Sequence, residues 1–188
     1  MHKHRDFIPA KFLILKSEPD TRGTMPNMNE WIGDHFAIVI LIIALIVAGF
    51  TIVITGADLV ETLLVSIVLF NIGFQGIMAG VMHWYRPSAD RIAKKIGWQP
   101  GSPFQKEVAA ADGAFGILGV ISFFVRGSFL TATVIGASFM LFLMGIGHVL
   151  DIRQNKNLSA YNAGTVVYFD LMLPVAMLGL LALWELGF

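Results

Sequence analysis

GTVVYFDLMLPVAMLGLLALWELGF, residues 164–188, is long and apolar enough to be a membrane helix, and one carboxylate, Asp170, interrupts its first half. A charged side chain at mid-helix costs roughly 2.5–3.5 kcal/mol on insertion, so Asp170 needs a partner or a task. Pro174, four residues on, offers no N–H to the Asp170 carbonyl, which predicts a kink there. Local rules broken in this way concentrate at working sites.

Four further stretches have the required length: residues 35–55, 60–82, 107–125 and 129–150, with the last span at 164–186. The chain of 188 residues is 56% apolar with a mean hydropathy of +0.72, too apolar for an ordinary soluble domain. The expected fold is all-α, a polytopic bundle of five transmembrane helices forming one domain over residues 35–188. Residues 1–34 are a polar and aromatic lead-in. Its segment FIPAKFLIL suits the membrane interface, with Lys11 and Lys16 reaching phosphates. The alternatives are a disordered tail, or a start at Met25 or Met28.

Basic residues fix the expected orientation. Twelve of the 13 Lys and Arg lie in the lead-in, between the second and third spans, or between the fourth and fifth; Arg126 is the exception. By the positive-inside bias the N-terminus is cytoplasmic and the C-terminus outside. Cysteine is absent, which excludes disulfides and thiolate-held metals, and a net charge of zero gives no footprint for nucleic acid.

Helix signals refine the map. Asp34 is placed to cap the first span, and Asp58-Leu-Val-Glu61 opens the second as a capping box. Ser102, Pro103 and Gln105 form a start for the third. Ala89-Asp-Arg-Ile-Ala-Lys-Lys-Ile-Gly-Trp98 reads as a short surface helix. Gly76-x-x-x-Gly80 permits close helix approach, as do Gly113, Gly116 and Gly119.

The second and fourth spans run inward and end in His83 and His148. The third and fifth run outward from Glu107 and Asp112 and toward Asp170. Asn71 and Gln75, four apart, share a helical face. These groups fall in the cytoplasmic half, as in a site inside a bundle. Each also has a plain reading. His83 and His148 can be half-solvated interfacial histidines, Glu107 a charged cap, and Asp151 a solvated loop acid. Asn71, Gln75, Asp112 and Asp170 can be hydrogen-bonding glue between helices.

The candidate chemistry is binding of a metal or a small polar ligand, with or without an enzymatic step on a lipid-soluble substrate. His83, Glu107 and His148 are candidate ligands for Zn, Fe or Mn; Glu107, Asp170 and His148 are candidate acid–base groups. Asn71, Gln75, Asp112 and Asp170 would orient or balance the bound species. No HExxH element and no pair of ExxH elements supports a metal by spacing. The alternatives are a proton-coupled carrier or channel, an accessory subunit of a membrane complex, and haem or pigment ligation by His83 and His148. Besides the lipid bilayer, a second copy or a complex subunit is a candidate partner.

Asn71-x-Gly-x-Gln75-Gly76, Ile96-Gly-Trp98, Gly101-Ser-Pro-Phe-Gln-x-Glu107-Val-Ala, Gly147-His148 and Asn162-Ala-Gly164, with Asp170 and Pro174, carry a resemblance. Residues 60–185 resemble an uncharacterised prokaryotic family of small polytopic membrane proteins, a domain of unknown function. That family often has Asn at the position of Asp112 and Gly-His at Met82-His83. The resemblance implies a fold and no reaction.

Overall fold

Lipid offers no partner to backbone N–H or C=O groups, so an apolar span must satisfy them internally, as a helix does. The computed structural model describes Trp31 and residues 33–187. The interfacial segment and alternative starts expected in residues 1–30 lie outside the described residues. The described chain is helical throughout, joined by short turns. α1 is Phe36–Thr55, α2 is Leu59–Trp84, α3 is Arg86–Ile96, α4 is Phe104–Phe124, α5 is Ser128–Asn155, α6 is Ala160–Ala163 and α7 is Thr165–Glu185. α1, α2, α4, α5 and the Ala160–Glu185 segment are each long and apolar enough to cross a membrane. α7 runs through Pro174 without interruption.

The spans go up and down between two faces. On one face the start of α1, the α2–α4 connection and the α5–α7 connection meet. Lys95 Nζ donates to Asp34 Oδ1 (2.8 Å) and to Tyr161 Oη (3.1 Å), and Tyr161 Oη donates to the same Asp34 oxygen (2.9 Å). Arg86, Arg91, Lys94, Lys95, Lys106, Arg153 and Lys156 belong to this basic face. On the other face Arg126 pairs with Glu61 (3.6 Å), and Thr131 Oγ1 donates to Glu185 (2.8 Å).

Asp58 caps α2 as expected, accepting from the Glu61 N–H at 2.7 Å. Ser102 Oγ accepts from Phe104 N–H at the start of α4 (3.3 Å). The expected cap at Asp34 does not form, because an ammonium and a phenol make stronger, charge-assisted bonds to that carboxylate than a helix N–H would. The Lys95 bond holds the Asp34 carboxyl below the ordinary aspartate range. A depressed acid contributes stability that is complete above its unfolded value and lost as pH falls through the folded one. Both partners are near half exposed, which limits the pair to about 1 kcal/mol or less. Lys95→Met is therefore expected to lower the melting temperature slightly at neutral pH, and the gap to wild type should narrow once Asp34 is protonated, leaving only the lost Lys95–Tyr161 contact. A gap that does not narrow in strong acid would contradict this.

α1 is the most apolar span, with a mean hydropathy of 3.3, and buries the smallest share of its residues. α2 changes neighbours midway. Its first half lies on α1 and α7, and its second half lies on α4. The change occurs at Val68–Phe74, where the backbone widens into a π-helix. Beyond it the α2 and α4 backbones nearly touch. A Cβ on Gly76 would come within 2.9 Å of the Asp112 carbonyl, one on Gly119 within 2.6 Å of Gly73 N, and one on Gly116 would collide with Ile77 N. Only glycine allows this approach.

The apolar core occupies the half away from the basic face. Leu64, Val65 and Val68 of α2, Leu130 and Val134 of α5, and Leu173, Met177 and Leu181 of α7 pack there, with Leu64, Leu130, Val134 and Met177 fully buried. Buried ionisable groups are left to the other half.

Candidate functional site

α5 and α7 bring His148 and Asp170 together. Gly145 makes this possible, since a Cβ there would lie 2.7 Å from Leu171 Cδ2 and 3.2 Å from Asp170 Cβ. His148 Nε2 and Asp170 Oδ2 are 3.8 Å apart, and each side chain is 10% exposed. The other ring nitrogen, Nδ1, bonds Asn162 Oδ1 at 2.8 Å. Asn162 is fully buried and donates its Nδ2 to the Asn157 carbonyl (2.9 Å), so its oxygen must face the imidazole. Nδ1 is therefore the protonated nitrogen, and in the neutral ring Nε2 presents a lone pair to Asp170.

Trp98, following the end of α3, covers this pair from the basic face. Its ring stacks on His148 with centroids 5.9 Å apart and planes 12° from parallel. Its Nε1 donates to Asp151 Oδ2 (3.0 Å), which also accepts from Asn157 Nδ2 (2.7 Å). Asn155 Nδ2 bonds the other Asp151 oxygen at 2.6 Å. Asp151 is thus an anchor, not merely a solvated acid. Asn157 Nδ2 also donates to the Ile96 carbonyl (2.8 Å), tying α3 to the α5–α7 connection.

A second polar group lies between α2 and α4. Asp112 is buried on α4. It lines a cavity of about 50 Å³ with Asn71, Gln75, Ala137 and Met140. Asn71 stands in the π-helical turn, a frequent device at working sites. Its Nδ2 donates to the Ala37 carbonyl and to Gln75 Oε1, both at 3.3 Å, while its Oδ1 is buried with no protein donor. Such an orphaned acceptor is costly unless something else donates to it.

The expected metal set is not assembled. Glu107 is exposed and His83 only partly buried, and among the described residues no three His, Cys, Asp or Glu side chains gather as metal ligands would. Among the described residues the donor set does not fit Zn, Fe or Mn. Haem ligation by His148 fits no better, since its Nε2 is turned to Asp170 and an indole lies on its face.

Of the residues expected at the site, Asn71, Gln75 and Asp112 share one cavity, and Asp170 and His148 form a pair. His83 and Glu107 join neither. Sequence reasoning missed Trp98, Asn162, Asn157 and the Asp34–Lys95–Tyr161 clamp as site residues. Two of these lie in segments quoted for the family resemblance, Ile96-Gly-Trp98 and Asn162-Ala-Gly164, and both segments converge on His148.

A family of unknown function, DUF6790, matches residues 34–186. The chain belongs to that family. The matched region holds both polar groups and begins at Asp34 of the clamp. Membership of a domain family of unknown function, expected from the sequence, therefore holds. No curated protein and no solved structure matches the chain.

Proposed function

We propose that the bundle carries an intramembrane proton-binding site, reached from the basic face, in which Asp112, Asp170 and His148 take up and release protons together with a bound species of water or small-ion size. The observation that carries this reading is the buried His148–Asp170 pair with its tautomer set by Asn162. One proton serves the Nε2–Oδ2 contact, as imidazolium with carboxylate or as neutral ring with carboxylic acid. A slight contraction of the 3.8 Å gap lets it pass between them. Asp112 places a second buried carboxyl at the cavity shared with Asn71 and Gln75.

Size restricts the ligand. A cavity of about 50 Å³ admits a few waters or a small ion, whereas organic ligands occupy sites of about 300–1,000 Å³. Fully buried Leu64, Leu130, Val134 and Met177 fill the half away from the basic face, which supports access from the basic face. The distribution of Lys and Arg supports placing the basic face at the cytoplasm, and the resemblance to a prokaryotic family supports a prokaryotic cytoplasmic membrane.

Infrared difference spectroscopy of the protein in liposomes, recorded across a pH titration, tests the reading. Wild type should show carboxylic-acid bands that disappear as pH rises. Asp112→Asn and Asp170→Asn should each remove one component, and His148→Phe should shift the Asp170 component alone. Wild-type spectra from both Asn variants would refute the proposal.

A further inference from the structure

Away from the buried site, the outer surface between α2 and α4 carries a groove of about 590 Å³, the size of an ordinary ligand site. Its floor is Gly80, Ala109 and Gly113, where the helices approach so closely that a Cβ on Gly80 would lie 2.9 Å from the Ala109 carbonyl. Its walls are Ile77, Val81 and Ile117, exposed by 38%, 64% and 56%. A narrow slot of this make-up, open along a membrane-facing surface, matches a methylene chain. At the basic face it ends in Trp84, Tyr85 and Arg86. Lys106, one turn before Ala109, holds its Nζ 5.3 Å from the centroid of the Trp84 ring. Arg86 is 80% exposed, and its contact to Asp90 is long, 3.8 Å; Asp90 also accepts from the Gly101 N–H at 2.8 Å.

We infer that this groove binds an anionic phospholipid of the adjoining leaflet, one acyl chain lying on Gly80 and Gly113 and the phosphate on Arg86 and Lys106. The charges decide the occupant. Trp84 and Tyr85 set the mouth at headgroup depth, and two cations there complement a phosphate. A second copy seated symmetrically on the same face would bring an equal cationic rim to the same depth.

The test is native mass spectrometry of the full chain, released from mixed micelles of phosphatidylglycerol and phosphatidylcholine with matched acyl chains. Wild type should retain phosphatidylglycerol preferentially. Arg86→Gln with Lys106→Gln should lower that preference about tenfold or more, since each basic residue near a lipid surface contributes substantially to anionic-lipid binding. Gly113→Leu should lower retention of both lipids by a similar factor. Nothing lies within 4 Å of a Cβ at Gly113, so the new side chain fills the groove and leaves the helix contact intact. Ile117→Trp on the exposed wall is the second blocking variant, and a melting curve accompanies each. Equal retention of the two lipids by wild type, unchanged retention in both blocking variants, or a dimer that the blocking variants dissociate would each overturn the inference.

Discussion

Gly116→Leu is expected to abolish the native bundle, while Gly113→Leu on the same helix leaves it standing. At Gly116 a Cβ would strike Ile77 N and lie 2.9 Å from the Gly76 carbonyl carbon, so the obstacle is backbone that cannot rotate away. At Gly113 no atom outside its own helix backbone lies within 4 Å. Overpacking a tight interface costs about 1–3 kcal/mol when side chains can yield, and backbone cannot, so the loss at Gly116 should exceed about 3 kcal/mol. Leucine returns only about 1 kcal/mol through helix propensity. Size-exclusion chromatography and thermal melting in detergent give the comparison. Gly116→Leu should aggregate or melt far below wild type, and Gly113→Leu should elute and melt with it. Similar behaviour of the two would mean that α2 and α4 do not pack as described.

His148→Ala should have the next largest effect. It leaves the fully buried Asn162 Oδ1 without its donor, at about 1–3 kcal/mol. It removes the surface on which Trp98 stacks, a contact of about 0.5–1.5 kcal/mol, and it strands Asp170 in a low-dielectric pocket. His148→Phe restores the stacking and not the hydrogen bond, so it should melt between alanine and wild type. Indole fluorescence separates the terms further. The Trp98 emission should shift toward that of a solvated ring in the alanine variant and stay near wild type in the phenylalanine one. Melting of His148→Ala with wild type would show that the imidazole is not integrated into the connection.

The spans could be read from the sequence because hydropathy over some 20 residues is a signal that side-chain detail cannot disguise. The glycines of α2 and α4 were legible for the same kind of reason, since they recur at helical spacing on two spans. Single-residue roles were less so. Asp34 has the position of a cap, and its actual partners stand 61 and 127 residues away, beyond any local rule. Trp98 read as the apolar end of a surface helix, because its stacking on His148 depends on how the α3 end folds back over α5. Counting along α4 puts Glu107 near the same end of the bundle as His148 and says nothing of which way it faces. Glu107 begins on an exposed side of α4, while Asp112 turns inward. Depth follows from counting residues along one helix; azimuth requires knowing which neighbours surround it.

The widened turn of α2 also governs which changes in chain length the domain can absorb. It supplies one residue beyond the ordinary helical count, equivalent to roughly 100° of rotation. Upstream of it α2 is phased for Leu64, Val65 and Val68 to meet α5 and α7; downstream it is phased for Gly76 and Gly80 to meet α4. Losing a residue between 68 and 74 would turn one end against the other like a slipped gear, swinging the glycines toward lipid and pulling Asn71 from its cavity, whereas the same deletion in the exposed connection near Arg126 would shorten a turn and leave every helix in phase.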